Sequence, residues 1–505
     1  MDIVPARVSG RGRHPFHPWF RRGMSKKQRF NPSFMLRNFM RHFLAGPVTR
    51  ATPRSAARLA SFLVAFLTLV SLSVQPLAAQ SILRDAETEA LFTDMVAPLV
   101  KVSELDSKEV EVVLINDNQI NAFVAGGQRI YFYSGLINTA DTANEVQGVM
   151  AHELGHITGG HIIRFDEGVK TATGITILSL ILGAAAIAAG AGDAGMGILA
   201  AGQQAAMGKF LAFSRVQERS ADSAGARYLA DAGISGRGSI NFFKKLQNYE
   251  FRLGIPQEDS YGRTHPLSGE RVTLLRDVYE KDPAWDKPSD PELEARFQRV
   301  KAKLLGFTAD PAVTLRKYPE SDQSIPARYA RAYAWHKSAY PDRALYEADN
   351  LLRAAPNDPY FLELQGQILL ESGKPDEALK SLRRAVQLTN NQPLIASLFG
   401  HALIATEDPQ YLDEAEKVLK AAVNKDNRNP FAWYQLGVVY SQQGDIARAQ
   451  LATAESSLLE QNYAGAIRSS QIAMAGIKEN TPDWIRAQDI SFIAKAEFEK
   501  NSRRR

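Results

Sequence analysis

A chain of 505 residues, 45% of them hydrophobic, is long enough for two or three packed domains rather than one core. Its net charge of +5 suggests nucleic acid only until it is located: residues 1–79 hold 13 Lys and Arg against one acid, Asp2, and the remainder holds 47 basic against 54 acidic residues, which gives phosphate-backbone binding no support. With no cysteine, thiolate zinc fingers, Cys-ligated iron–sulfur clusters and thiol catalysis are excluded, so any metal must be held by His, Asp or Glu.

Arg50, Arg54 and Arg58 precede an apolar run from Leu59 to Val74, followed by QPLAAQ. That is the order of a secretory leader: a basic segment, an apolar core and a small-residue exit. The expectation is an N-terminal extension and leader over residues 1–79, cleaved near Ala79, with a retained anchor as the other reading. Met24 and Met35 offer alternative starts within it.

From Ile82 to about Val100, apolar residues three and four apart predict an amphipathic helix. Glu109–Asn116 reads as a strand, Asn121–Phe123 begins a second one before Gly126 and Gly127, and RIYFY at Arg129–Tyr133 is a third. Helices are expected over 144–163, about 210–232 and about 268–305. Between the first two of these, residues 171–191 carry no charged side chain, and the apolar, Gly- and Ala-rich character continues to 208. A helical hairpin over 171–208 is expected, turning within Gly190–Gly195 and either buried in protein, touching a membrane or inserted into it, with full spanning left open.

After Pro319 the chain repeats itself. Pro359, Gly366 and Ala378 are matched by Pro393 and Gly400, and again by Pro430, Gly437 and Ala449. Pro359 to Pro393 spans the period of tetratricopeptide repeats, and the next interval is lengthened by the turn around TEDPQYLDEA, which moves the matching alanine to Ala415. The small residues let paired helices cross closely, with Trp433, Tyr434 and Tyr440 as larger knobs. Residues 327–355 and 447–473 read as degenerate repeats. Such a solenoid binds protein segments or docks onto a partner domain, and carries no chemistry of its own.

The chemistry lies in HELGH, His152 to His156. Residues four apart share a helical face, so both imidazoles can address one Zn²⁺, with Glu153 beside them as a base. Val146, Val149, Met150, Ala151 and Leu154 make this helix largely apolar, and buried imidazoles in such surroundings need a metal or hydrogen-bond partners. His161 lies five residues after His156, about 140° round the helix, and is expected near the site or on the surface. Glu218 is the better third ligand. Asp222, one turn on, can fix the tautomer of a ligand histidine. Two His, one Glu and a water complete a four-coordinate site with one zinc per chain.

Residues 80–305 resemble peptidase family M48, zinc peptidases of membranes and the periplasm, and the whole chain resembles its repeat-bearing bacterial branch. The resemblance rests on His152, Glu153 and His156; on Glu218 and Asp222 as the ExxxD segment; on Asn121–Phe123, Gly126–Gly127 and Gly135–Leu136; and on His265, Pro266 and Arg271 as a His-Pro…Arg element near the cleft. Ala125 stands where many members have proline. The fold implied is an α+β zinc metallopeptidase domain, mostly helical with a small β-sheet, over 80–310, then an all-α tetratricopeptide-repeat solenoid over 320–495. The resemblance implies hydrolysis of internal peptide bonds in unfolded or misassembled envelope proteins, in the periplasm of a Gram-negative bacterium. It also implies contact with outer-membrane assembly machinery through the repeat groove.

The catalytic residues expected are Glu153, His265, Asp222 and Arg271, and the metal ligands His152, His156 and Glu218. Two roles stay open for His265: stabilising the oxyanion, or reaching the open metal position and holding the enzyme quiet. Arg271 is expected to brace Asp222 or the substrate backbone. The strand RIYFY is expected to offer a free edge to extended substrates. A chaperone or assembly scaffold acting through the repeats, with rare hydrolysis, is the rival function.

Overall fold

The computed structural model describes residues 82–106, 109–188, 191–253, 265 and 269–503. The leader expected over 1–79 and the Pro266 position lie outside the described residues. From residue 79 onward the chain forms one compact unit.

Ile82–Leu83 (β1) is a short strand rather than the start of the first helix; α1, Ala86–Val102, begins where the Asp85 carboxylate accepts from the Thr88 N–H at 2.9 Å. Strands β2 (Glu111–Ile115), β3 (Ala122–Ala125) and β4 (Arg129–Tyr133) follow. The sheet order is β1-β2-β4-β3, with β2 and β4 parallel and both outer pairs antiparallel. RIYFY is therefore an interior strand, paired on both sides, which corrects the expectation of a free edge there. The turn at Gly126 and Gly127, with φ of 60° and 98°, folds β3 back along β4 in a conformation that costs glycine little. The edge beside the site belongs to β3.

After α2 (Ser134–Thr139) comes α3 (Ala143–Thr158), capped by the Thr142 hydroxyl. Every residue of α3 from Ala143 to His156 is buried. Gly159 and Gly160 end it, so the helix expected over 144–163 is two: α4 (His161–Ala188) starts afresh. Its antiparallel partner α5 (Gly192–Asp231) is one continuous helix that carries the second active-site segment. α6 (Arg237–Leu253) follows; the helix expected over 268–305 is likewise two, α7 (Gly269–Tyr279) and α8 (Pro291–Thr308). Pro283 and Pro288 lie in the break.

The peptidase core gathers Leu91, Phe92, Phe132, Val149, Tyr228, Phe242 and Phe297, from helices on both sides of α3 together with the sheet. α3 approaches α5 closely because residue 155 is glycine: a Cβ there would lie 2.5 Å from the Ala221 carbonyl oxygen.

After α9 (Pro311–Lys317), the all-helical region runs through α10 (Ile325–Lys337), α11 (Pro341–Ala354), α12 (Pro359–Glu371), α13 (Pro375–Leu388), α14 (Pro393–Ala405), α15 (Leu412–Lys425), α16 (Pro430–Gln442), α17 (Ile446–Leu459), α18 (Tyr463–Gly476) and α19 (Pro482–Arg503). Asp358 and Asn429 cap helices that open with proline, since proline's missing N–H costs nothing in the first turn. Gly366 faces Leu382 and Gly400 faces Leu419, where a β-carbon would collide. Tyr440 is buried, whereas Tyr434 is 58% exposed and is not a packing knob.

The repeats dock on the peptidase through charge as well as apolar contact. Arg299 of α8 binds Asp358 at 2.6 Å and also Glu87; Tyr329 donates to Glu87 at 2.7 Å. Arg428 reaches Glu111 at 3.0 Å, and Arg84 reaches Asp426 at 3.0 Å.

Candidate metal centre

Helix periodicity brings the first donors together. His152 and His156 lie one turn apart on α3, with Nε2 atoms 3.1 Å from each other. α5 crosses α3 and presents Glu218, whose carboxylate oxygens lie 3.4 Å from His152 Nε2 and 3.3 Å from His156 Nε2. His265 enters from a distant part of the chain: its Nδ1 is 3.2 Å from His152 Nε2 and 3.1 Å from a Glu218 oxygen. All four side chains are buried, and one donor atom from each lies within 4.8 Å of the others.

This donor set fits a cation of tetrahedral preference. Corners about 3.3 Å apart surround a centre about 2 Å from each, which is the reach of imidazole and carboxylate ligands. The separations of His152 from His156, Glu218 and His265, and of Glu218 from His156 and His265, are 3.1–3.4 Å, close to that edge, and all four donors lie within 4.8 Å of one another.

Outer contacts orient these groups. Asp222 Oδ1 accepts from the His152 Nδ1 side at 3.0 Å, while His156 Nδ1 pairs with His161 Nδ1 at 3.0 Å. His161 thus sits beside the site as the partner of a ligand candidate. Arg271 is buried, not solvated. Its guanidinium donates to Asp222 through Nε and through Nη2 at 2.8 Å, and to Glu218 through Nη1 at 2.9 Å. One cation thereby holds the two carboxylates of α5 apart and in place.

The titrations follow from burial and neighbours. For His152, burial opposes the charge, but hydrogen bonds with Asp222 and Glu218 outweigh it and raise the imidazole to about 9. His156 is pushed down to about 3, by burial first and then by His152 and His265, against the pull of Glu218. Glu218 and Asp222 are lowered despite burial, the first by His265, His152 and His156 and the second by Arg271 and His152. Glu153 goes the other way: burial raises it. Neither of its carboxylate oxygens has a hydrogen-bond partner among the described residues, although His265 Nε2 lies 3.4 Å from one of them. A fully buried acid facing the donor cluster with free lone pairs can take and hold a proton there.

A cleft of about 380 Å³ opens onto this cluster, lined by Glu153, His156, Glu218 and His265 together with Phe123 and Val124 of edge strand β3. Its outer wall is Phe165, Phe210 and Phe213, at the roots of α4 and α5, with Phe165 and Phe210 edge to face at 5.9 Å. Sequence reasoning singled out none of these three; their place at both roots of the uncharged stretch was the available signal. The His161 pairing was missed as well, because it depends on the chain restarting at Gly160.

Residues 43–278 match the model of "Peptidase family M48", and residues 350–478 match "Cytochrome c-type biogenesis protein H TPR domain". A "Beta-barrel assembly-enhancing protease" of Yersinia pestis is 26% identical over 373 residues, covering 72% of this chain and 74% of that protein. The protein of the same name in Escherichia coli strain K12 is 27% identical over 375 residues, covering 72% and 71%. Metalloprotease LoiP of Escherichia coli strain K12 is 31% identical over 183 residues, covering 36% of this chain and 67% of that protein.

Proposed function

This chain belongs to peptidase family M48 and is a metalloendopeptidase; on that premise we propose that it is a zinc enzyme of the Gram-negative periplasm that cleaves unfolded or misassembled envelope proteins. The observation that carries the reading is the buried cluster of His152, His156, Glu218 and His265, with the unpartnered Glu153 carboxylate beside it. The names of the relatives from Yersinia pestis and Escherichia coli support a place in outer-membrane protein assembly.

His152, His156 and Glu218 would hold the zinc. Bound there, it supplies Lewis-acid chemistry, polarising the scissile carbonyl and acidifying the attacking water. Glu153 takes a proton from that water on a carboxylate oxygen and returns it to the leaving nitrogen. Its raised affinity for protons, a consequence of burial, suits both transfers. Asp222 keeps the His152 ring in one tautomer and orientation, and Arg271 keeps Asp222 and Glu218 at their spacing. An extended substrate segment adds to the outer edge of β3, where His265 Nε2 lies 3.3 Å from the Ala122 carbonyl oxygen and where Phe123 and Val124 line the cleft. Backbone pairing of this kind favours unfolded chain over any particular sequence. The repeat groove receives a protein partner of the assembly machinery.

His265 favours a gated form of this reading. With Nδ1 within 3.2 Å of donors on His152 and Glu218, it stands where the position left open to substrate would be, so it would have to withdraw for turnover. The scaffold reading describes the gated state of the same molecule. The test is cleavage of an unfolded polypeptide by the zinc-loaded chain starting at Gln80, beside Glu153→Gln. Cleavage lost in the variant with zinc retained is expected. Equal cleavage by both would overturn the assignment of Glu153.

A further inference from the structure

The peptidase reading leaves the α4–α5 hairpin unused. Within residues 171–208 the only charged side chain is Asp193, in the first turn of α5 at the tip. The arm from Thr171 to Ala188 is about 27 Å long at ~1.5 Å per residue, against about 30 Å of bilayer hydrocarbon. Small residues join the two arms: Gly183 meets Leu199, Gly195 meets Ile187 and Gly202 meets Ser179. Among the described residues, nothing covers the rest of the hairpin surface. Ile177, Leu178, Leu180, Ile181 and Leu182 are 50–61% exposed. At 100° per residue they point to every side of α4 except the one occupied by Ser179 and Gly183. A single protein partner covers one face of a helix pair. Lipid covers all of them.

The ends of the arms agree. Gly168 lies against Phe213, so Lys170 on α4 and Lys209 on α5 sit within about a turn of each other. Both are exposed, as are Arg164 and Arg215; Asp166 and Glu167 are the acids at this level. This net positive collar suits anionic headgroups, and Phe165, Phe210 and Phe213 stand with it.

We propose that the α4–α5 hairpin is a bilayer-inserted anchor, and that it holds the cleft at a fixed, short height above one membrane surface. From His161, beside the metal cluster, to Lys170 is about 13 Å of helix. Resting on the peptidase reading, the proposal names the substrate class: unfolded segments tethered to, or emerging at, that same surface. Chain free in solution has no such advantage, since tethering raises its local concentration at the cleft to the millimolar range.

The test uses the chain from Gln80, which lies within one compact unit, with vesicles of phosphatidylethanolamine and phosphatidylglycerol. One unfolded polypeptide is supplied lipid-tethered or free. The variant is Leu180→Asp with Ile181→Asp, two exposed positions remote from the cleft. The parent is expected to float with vesicles, to resist alkaline carbonate, and to cleave the tethered polypeptide at least ~10-fold faster than the free one. The variant is expected to lose vesicle partitioning by roughly 50-fold or more, keep the parent's rate on free polypeptide, and lose the preference for tethering. A parent that stays in solution, or that carbonate strips from vesicles, overturns the anchor. So does a hairpin-dependent dimer whose light-scattering mass vesicles do not alter. A parent that floats and resists carbonate but cleaves neither polypeptide supports the anchor and sinks the peptidase reading.

Discussion

Replacing Gly155 by alanine tests whether the crossing of α3 and α5 sets the geometry of the centre. The added Cβ would lie 2.5 Å from the Ala221 carbonyl oxygen and 2.8 Å from its Cα, where ordinary contact begins at 3.4 Å. The obstacle is backbone, so the helices must part by about 0.9 Å or the site must strain, at a cost of ~1–3 kcal/mol. Ala221 stands between Glu218 and Asp222, and any shift moves both relative to His152 and His156. Metal–ligand distances tolerate only about 0.2 Å, and a misplacement near 1 Å typically costs ~100-fold in rate. Gly155→Ala is therefore expected to weaken zinc binding, lower kcat/KM by ~100-fold, and lower the unfolding temperature. Chelator competition, peptide cleavage and thermal unfolding measure the three. Gly174→Ala is the control, because nothing lies within 4 Å of its added Cβ. Zinc affinity and kcat/KM within about two-fold of the parent would refute the argument, since such changes fall well short of the predicted loss.

Asp222→Asn keeps the shape but loses the carboxylate that orients His152 and pairs with Arg271, so zinc affinity should fall ~10–100-fold by chelator competition. His265→Ala should retain zinc and raise kcat/KM on unfolded polypeptide by ~10-fold or more if the open form is a minor population; a drop would make His265 a participant in the chemistry. The docked repeats should respond to pH through Glu363 of α12. Burial raises its carboxyl to about 8 against the pull of Lys303, with Asp85 and Glu87 adding to the rise. The folded chain then holds a proton that the unfolded chain releases near the ordinary value of 4.5, so stability falls as pH rises between those values. Glu363→Gln should abolish that fall, matching the parent near pH 5 (below most of the range, ~4.5 to ~8) and unfolding at a higher temperature than the parent above it. Parallel unfolding curves for the two chains would exclude Glu363 as the source.

Several features of the site are local in sequence and therefore legible there. A helix repeats its face every three to four residues, so His152 and His156 share a side, as do Glu218 and Asp222, without any knowledge of the fold. The apolar run around HELGH likewise announces burial. Arg271 was harder to read, because an arginine one turn into a helix is usually solvated. Only the crossing of α7 over α5 surrounds it with Asp222, Glu218 and the ring of Phe243.

By itself, the sequence determined the helix carrying the two histidines, the repeat period after Pro319, and an apolar hairpin-length stretch, charged only at Asp193, between the active-site helices. These depend on spacing and composition. The tertiary structure decided which strand borders the site as an outer strand, because strand order follows from the fold-back at Gly126–Gly127 and from the parallel pairing of β2 with β4. It also decided that His265 reaches His152 and Glu218 and that His161 pairs with His156, since such contacts join residues whose proximity no periodicity encodes. Long-range packing, enforced by glycine at position 155, sets the spacing of the donors that the separate helices bring together.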